Sequence, residues 1–172
     1  MSAASPLASI AVGVVVERSK SASPWADYYW RPSAVLAGVP DTAPWTKLSE
    51  DGDRTTFFVG AATVELYRTE TTFYRNNLAS GSPSLWIVLR ATGGEPPYTV
   101  ALVTADPAEG EGMTETATDL VEQVEMPPSI RDIVEAFVAE HHTEERFVKR
   151  KRDRANPENL ARRTADTGRG RE

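Results

Sequence analysis

The first apolar stretch of the chain, residues 10–16, is apolar at both odd and even positions. A strand with one covered face alternates apolar and polar side chains, whereas a strand covered on both faces is apolar throughout. The pattern therefore predicts a central strand that is buried on both sides.

Shorter runs with a period of two follow, and turn-forming residues separate them. Short strands are predicted over residues 33–37 and 45–48. Residues 54–59 and 63–68 are predicted to pair as a hairpin joined by Gly60-Ala61-Ala62. A second hairpin and an edge strand are predicted further along the chain, over residues 84–90, 98–104 and 120–126.

The clearest helix pattern in the sequence lies over residues 130–138. Its apolar positions follow the spacing i, i+3, i+4, i+7 and i+8 at Ile130, Ile133, Val134, Phe137 and Val138. Ser129 and Asp132 resemble the two ends of a capping box, so the helix is expected to start at Ser129. The predicted fold is α+β: a mainly antiparallel twisted sheet, or a partly closed barrel, covered by this helix.

The charge of the chain is unevenly distributed. The net charge is −6, yet residues 146–172 hold ten Lys or Arg against four Asp or Glu. This division predicts a flexible N-terminus over residues 1–8, one α+β domain over 9–145, and a basic disordered tail over 146–172.

Composition excludes several classes of site. The chain has no cysteine and two histidines, which excludes disulfides, thiolate metal sites, cysteine nucleophiles and cages of several histidines. The sequence holds no Walker A loop, no G-x-G-x-x-G and no nucleophile elbow. We therefore expect no resident cofactor or metal. Neither a membrane span nor a signal peptide is predicted, so the expected location is the cytoplasm.

An aromatic segment, residues 23–32, is the first candidate for binding, and it is expected to form a strand or an irregular strap. Its candidate residues are Trp25, Tyr28, Tyr29, Trp30 and Arg31. Trp and Tyr are frequent at protein interfaces, so the segment could form a binding platform. The alternative is that these rings pack inside a β-rich domain, as large aromatic side chains commonly do.

Two further groups of residues are candidates. His141 and His142 could act as ligands or proton carriers, but no partner lies at suitable spacing, which favours a structural role. The acidic stretch 106–125 lacks the spacing of a calcium loop and is expected to be a solvated loop.

The basic run at the start of the predicted tail is a candidate docking element. It comprises Lys149, Arg150, Lys151 and Arg152, and Phe147 precedes it as a possible apolar anchor. Nucleic acid is not the expected partner, because the acidic remainder of the chain competes for these bases.

Four segments, in this order, resemble the bacterial family called domain of unknown function 3305. They are residues 12–18 (VGVVVER), 24–32 from Pro-Trp to Trp-Arg-Pro, 43–45 (Ala-Pro-Trp), and 137–152, which includes the His-His pair and the basic run. Genes of this family often lie beside those for molybdenum-dependent formate dehydrogenase. The resemblance therefore implies a non-catalytic accessory or assembly protein whose partner is a formate dehydrogenase component or a maturation factor.

Two alternatives remain open at this stage. The chain could be a general protein-interaction module whose basic tail docks an acidic partner. It could also be an enzyme that uses carboxylates, which is the less favoured hypothesis because no nucleophile, metal or phosphate motif is present.

Overall fold

Seven strands and three helices form within residues 4–144, the part of the chain that the computed structural model describes. The strands are β1 (Ala8–Lys20), β2 (Tyr28–Ala37), β3 (Thr46–Asp51), β4 (Arg54–Leu66), β5 (Ser84–Ala91), β6 (Tyr98–Thr104) and β7 (Asp119–Glu125). The helices are α1 (Thr71–Ala79), α2 (Pro107–Gly112) and α3 (Pro128–His141).

The strands divide between two antiparallel sheets, with the orders β2-β1-β4-β3 and β6-β5-β7. The predicted α+β class is confirmed, with two sheets in place of one and no closed barrel within residues 4–144. Strand β1 lies between β2 and β4, so its predicted central position is confirmed. One apolar core joins both sheets to α3, with Val14, Ile87 and Val134 as fully buried members.

The predicted hairpin over residues 54–68 is wrong, because the two runs form the single strand β4. Gly60, Ala61 and Ala62 do not turn; they pair with residues 12–14 of β1. The register shifts by one residue between Val14 and Val15, where Val14 faces Gly60 and Val15 faces Phe58. A one-residue β-bulge at this point accommodates the small residues within the strand, so β4 continues without a turn.

The second hairpin and the edge strand are confirmed. Strand β5 pairs with β6 on one side and with β7 on the other, which leaves β7 at the edge of its sheet. Leu85, Ile87 and Leu89 are fully buried, as predicted for one face of the strand, and Trp86 and Val88 are buried as well, so β5 is covered on both faces.

The C-terminal helix is confirmed, but its predicted start is wrong. Helix α3 begins at Pro128 with Pro127 as the preceding residue, and no side chain caps it. A proline at the first helical position supplies a suitable φ and lacks the N–H group that a cap would satisfy. Ile130, Val134 and Phe137 are buried, whereas Ile133 is 45% exposed.

The acidic stretch that was expected to be a loop contains the short helix α2. Asp106 caps this helix by accepting a hydrogen bond of 2.8 Å from the Ala108 N–H, and Pro107 occupies its first turn. Within residues 4–144, no helix is both long and apolar enough to cross a membrane.

Candidate functional site

The register of three neighbouring strands surrounds Arg18 with aromatic rings. Arg18 of β1 pairs with Trp30 of β2, and Lys20 pairs with Tyr28 two positions further along. On the other side of β1, Val16 pairs with Phe57 of β4. Rings from both neighbouring strands therefore reach the Arg18 side chain.

Trp30 is the centre of the aromatic cluster. Its ring centroid lies 6.4 Å from that of Tyr28, 5.7 Å from Trp45, 5.9 Å from Phe57 and 6.2 Å from Tyr98. Aromatic pairs at such distances contribute about 0.5–1.5 kcal/mol each beyond their burial. Four of these rings pack against the core and are therefore firmly held: Trp30, Trp45, Phe57 and Tyr98.

Trp45 reaches this cluster from a strained backbone position. Its φ of 67° is in the left-handed region, which a bulky side chain rarely adopts. The Trp45 N–H donates a hydrogen bond to the Phe58 carbonyl, and its ring packs on Trp30 and Phe57. These contacts hold the strained conformation, and strain of this kind is concentrated at functional sites in proteins.

The Arg18 guanidinium lies over three of the rings. Its central carbon is 4.2 Å from the Tyr28 centroid, 5.1 Å from Phe57 and 5.7 Å from Trp30, which are cation–π distances. Within residues 4–144, its N–H groups have neither a hydrogen-bond acceptor nor an ion-pair partner. The half-buried guanidinium is thus oriented by the rings while its donors remain unused.

Arg18 also has a small effect on the pKa of the Glu50 carboxyl. The hydrogen bond from Lys47 and the charge of Lys47 lower the pKa of the Glu50 carboxyl, and the Arg18 charge lowers it slightly further. Lys47 pairs with that carboxylate at 2.7 Å, and within residues 4–144 no ion pair joins Glu50 to Arg18.

An open cleft of about 690 Å³ lies at this cluster. Arg18 and the rings of Tyr28, Trp30, Trp45 and Phe57 line it. Its remaining lining comes from two loops and consists of Pro44, Glu95, Pro96 and Pro97. Concave, mostly apolar sites with a few polar groups are where proteins usually bind ligands, so this cleft is the candidate functional site.

The structure divides the predicted aromatic segment between two environments. Tyr28 and Trp30 line the cleft, and Trp30 also packs against the core. Trp25 is 93% exposed and Tyr29 is 60% exposed, and Arg31 forms an ion pair of 3.4 Å with Glu17. Packing within the domain therefore describes Trp30, while the binding role of the segment stays a prediction.

The two histidines lie away from the residues that line the cleft. The His141 ring packs 4.6 Å from that of Phe137. His142 has hydrogen-bond contacts of 3.1 Å to Thr71 and to Arg75 of α1, which supports a structural role for it. Among the described residues, no group of three or more His, Cys, Asp or Glu could hold a metal ion.

The other candidate residues, Phe147 and Lys149, Arg150, Lys151 and Arg152, lie outside the described residues, as does the whole predicted tail. Their docking role stays a prediction.

Sequence reasoning did not identify Arg18, Trp45, Phe57 or the turn residues 95–97 as members of the site. One signal was available: Arg18 lies two residues after Val16, the last residue of the apolar run of β1, so it continues the strand face on which Val16 is buried. The other members come from separate segments, and only the strand register shows that they meet.

Comparison with known protein families matches residues 11–151 to the family described as protein of unknown function (DUF3305). No curated protein and no solved structure matches the chain. Because the match spans most of the sequence, the chain belongs to the DUF3305 family.

Proposed function

We propose that this protein is a non-catalytic accessory or assembly protein of a molybdenum-dependent formate dehydrogenase, and that it acts by binding a protein partner. The observation that carries the binding function is the open aromatic cleft around Arg18. The identity of the partner rests on the family resemblance, since genes of this family often lie beside those of the dehydrogenase.

The residue types at the cleft support a role in protein binding. Trp, Tyr and Arg carry most of the binding energy at protein interfaces, where they fill well-packed central positions. Here Trp30, Trp45 and Arg18 are held in place before any partner arrives. Binding then costs little side-chain entropy, because the contributing groups are already ordered.

Co-purification of the full chain with dehydrogenase components from its native host tests the proposal. We expect the wild-type chain to retain at least one such component, and Tyr28→Ala to weaken the association. The matched control is Tyr29→Ala, which removes an exposed tyrosine of the same strand that does not line the cleft. Failure of the wild-type chain to retain any dehydrogenase component would contradict the proposal.

A second candidate function is docking through the basic tail, and the charge distribution favours it. Residues 146–172 carry an excess of six positive charges on a chain whose net charge is −6. Exposed charges are screened beyond about 8 Å at physiological salt, so an apolar anchor such as Phe147 is needed for affinity. Deletion of residues 146–172 separates the candidates: it abolishes the association if the tail docks, and it preserves the association if the cleft does.

A further inference from the structure

We infer that the cleft binds an acidic, proline-containing segment of a partner protein, with proline rings against the indoles and a carboxylate on Arg18. This inference rests on the proposed binding function and names the chemistry of the bound segment.

The arrangement of the rings favours proline. The planes of Trp30 and Trp45 meet at 79° with their centroids 5.7 Å apart, which forms an apolar corner beside Phe57. Grooves lined by aromatic rings bind polyproline II segments, whose extended conformation is formed in advance and loses little entropy on binding. The cleft is open to solvent, so an extended chain that passes across the surface can enter it.

The unused donors of Arg18 favour a carboxylate. Its guanidinium carbon lies over the Tyr28 ring, 4.2 Å from the ring centroid, and this contact uses none of its N–H donors. Neighbouring bases are already paired: Lys20 with Asp53, and Arg31 with Glu17. A carboxylate that meets Arg18 gains charge-assisted, bidentate hydrogen bonds in a partly desolvated place.

Charges at the cleft also select against other ligands and orient the bound segment. A cationic ligand would be repelled by Arg18, because the guanidinium already occupies the face of the Tyr28 ring that would bind a cation. Glu95 lines the same cleft, so an acidic side chain of the ligand is directed to Arg18 and away from the β5–β6 turn.

Peptide titration of the full chain tests this assignment. The probe is acetyl-Ala-Pro-Pro-Glu-Pro-Pro-Ala-amide, compared with one peptide in which Gln replaces Glu and another in which Ala replaces every Pro. The readout is tryptophan fluorescence in the Trp25→Phe background, which removes an indole that is 93% exposed. Loss of a charge-assisted hydrogen bond corresponds to about a 10- to 100-fold weaker affinity, which we expect for the Gln peptide. The peptide without proline is also expected to bind more weakly than the probe.

Arg18 variants separate its chemistry from its packing. In Arg18→Gln, the Glu and Gln peptides are expected to bind equally, because the group that distinguishes them is gone. Arg18→Lys keeps the charge but not the planar fork, so an intermediate preference is expected. Arg31→Gln is the matched control, since Arg31 already pairs with Glu17 and does not line the cleft. Circular dichroism and thermal melting confirm that each variant is folded.

Three outcomes of the peptide titrations overturn the inference: none of the peptides binds, all three bind equally, or Arg18→Gln retains the preference for Glu. ATP serves as a probe for anionic ligands that carry an aromatic ring. ATP binding that competes with the peptide and requires Arg18 is a further outcome that overturns the inference. If the peptides fail while Tyr28→Ala still reduces co-purification, the proposed function stands and only the assigned segment chemistry falls. If peptide binding follows the expected pattern but no dehydrogenase component co-purifies, the partner assignment falls instead.

Discussion

The side-chain amide of Asn77 holds both backbone polar groups of Ser84. The Ser84 N–H donates to the Asn77 Oδ1 at 2.9 Å, and the Asn77 Nδ2 donates to the Ser84 carbonyl at 2.8 Å. The same Nδ2 also donates to the Ala105 carbonyl at 2.9 Å. One buried amide therefore ties helix α1 to the start of β5 and to the residue that follows β6.

Asn77→Ala is expected to destabilise the protein strongly. It leaves one N–H and two carbonyls without this partner, and each unsatisfied buried group costs about 1–3 kcal/mol, so a loss of about 3 kcal/mol or more is expected. Urea unfolding of the variant measures it. The control is Asn76→Ala, since Asn76 is exposed on the same helix and should change little. Equal losses for the two variants would contradict this account.

Gly110→Ala is expected to displace helix α2 from the Trp86 side chain. A Cβ atom at Gly110 would overlap the Cβ, Cγ and Cδ1 atoms of Trp86, so either the helix or the indole must move. Overpacking of this kind costs about 1–3 kcal/mol. Thermal melting and the near-ultraviolet circular dichroism of the indole report the change. Gly112→Ala is the control because no atom lies within 4 Å of its added Cβ, and an unchanged Gly110→Ala protein would refute the close contact.

The strands were predicted from the sequence where an apolar run is buried, as in β5, whose residues 84–89 are all buried. The hairpin over residues 54–68 was predicted wrongly, because Gly60-Ala61-Ala62 has the composition of a turn. Its conformation depends instead on pairing with β1, in a register that places Gly60 opposite Val14. Val14 lies more than forty residues earlier in the chain. Local composition does not contain that tertiary preference.

The candidate site shows the same division between local and distant information. The sequence marked Tyr28 and Trp30 because aromatic residues are concentrated there. It did not mark Arg18, whose role depends on lying opposite Trp30 in the sheet. Nor did it identify Trp45 as a site residue, since neither the positive φ nor the contact with Trp30 has a local sequence signature.

Phe137→Ala is expected to cost about 3–5 kcal/mol, as large-to-small substitutions of buried aromatic residues do. Phe137 is 5% exposed and packs edge-on against Tyr74, with their ring centroids 6.1 Å apart. Ile133→Ala on the same helix is the control, because Ile133 is 45% exposed. Chemical unfolding of both variants measures the difference. A loss for Phe137→Ala no larger than that for Ile133→Ala would show that α3 does not anchor the core through Phe137.

Stability is expected to fall in alkaline solution as the buried Tyr74 ionises. Burial raises the pKa of the Tyr74 phenol from 10.0 to about 12, with smaller contributions in the same direction from Asp106 and Glu70. A hydrogen bond of 3.0 Å from the Tyr67 N–H to the Tyr74 Oη opposes this rise. The unfolded chain therefore loses this proton at a lower pH than the folded chain does. The stabilisation is complete below pH 10 and is lost as the pH rises towards about 12.

Thermal melting across this range, in the wild type and in Tyr74→Phe, measures the effect. The variant should be less stable at neutral pH, because the Tyr67 N–H loses its acceptor, and its melting temperature should fall less steeply above pH 10. Tyr67→Phe is the matched control. A hydrogen bond from its hydroxyl to Glu65 raises the pKa of Tyr67, so this variant removes a second, exposed contribution while retaining that of Tyr74. An alkaline slope in Tyr74→Phe as steep as in the wild type would show that other groups cause the loss of stability.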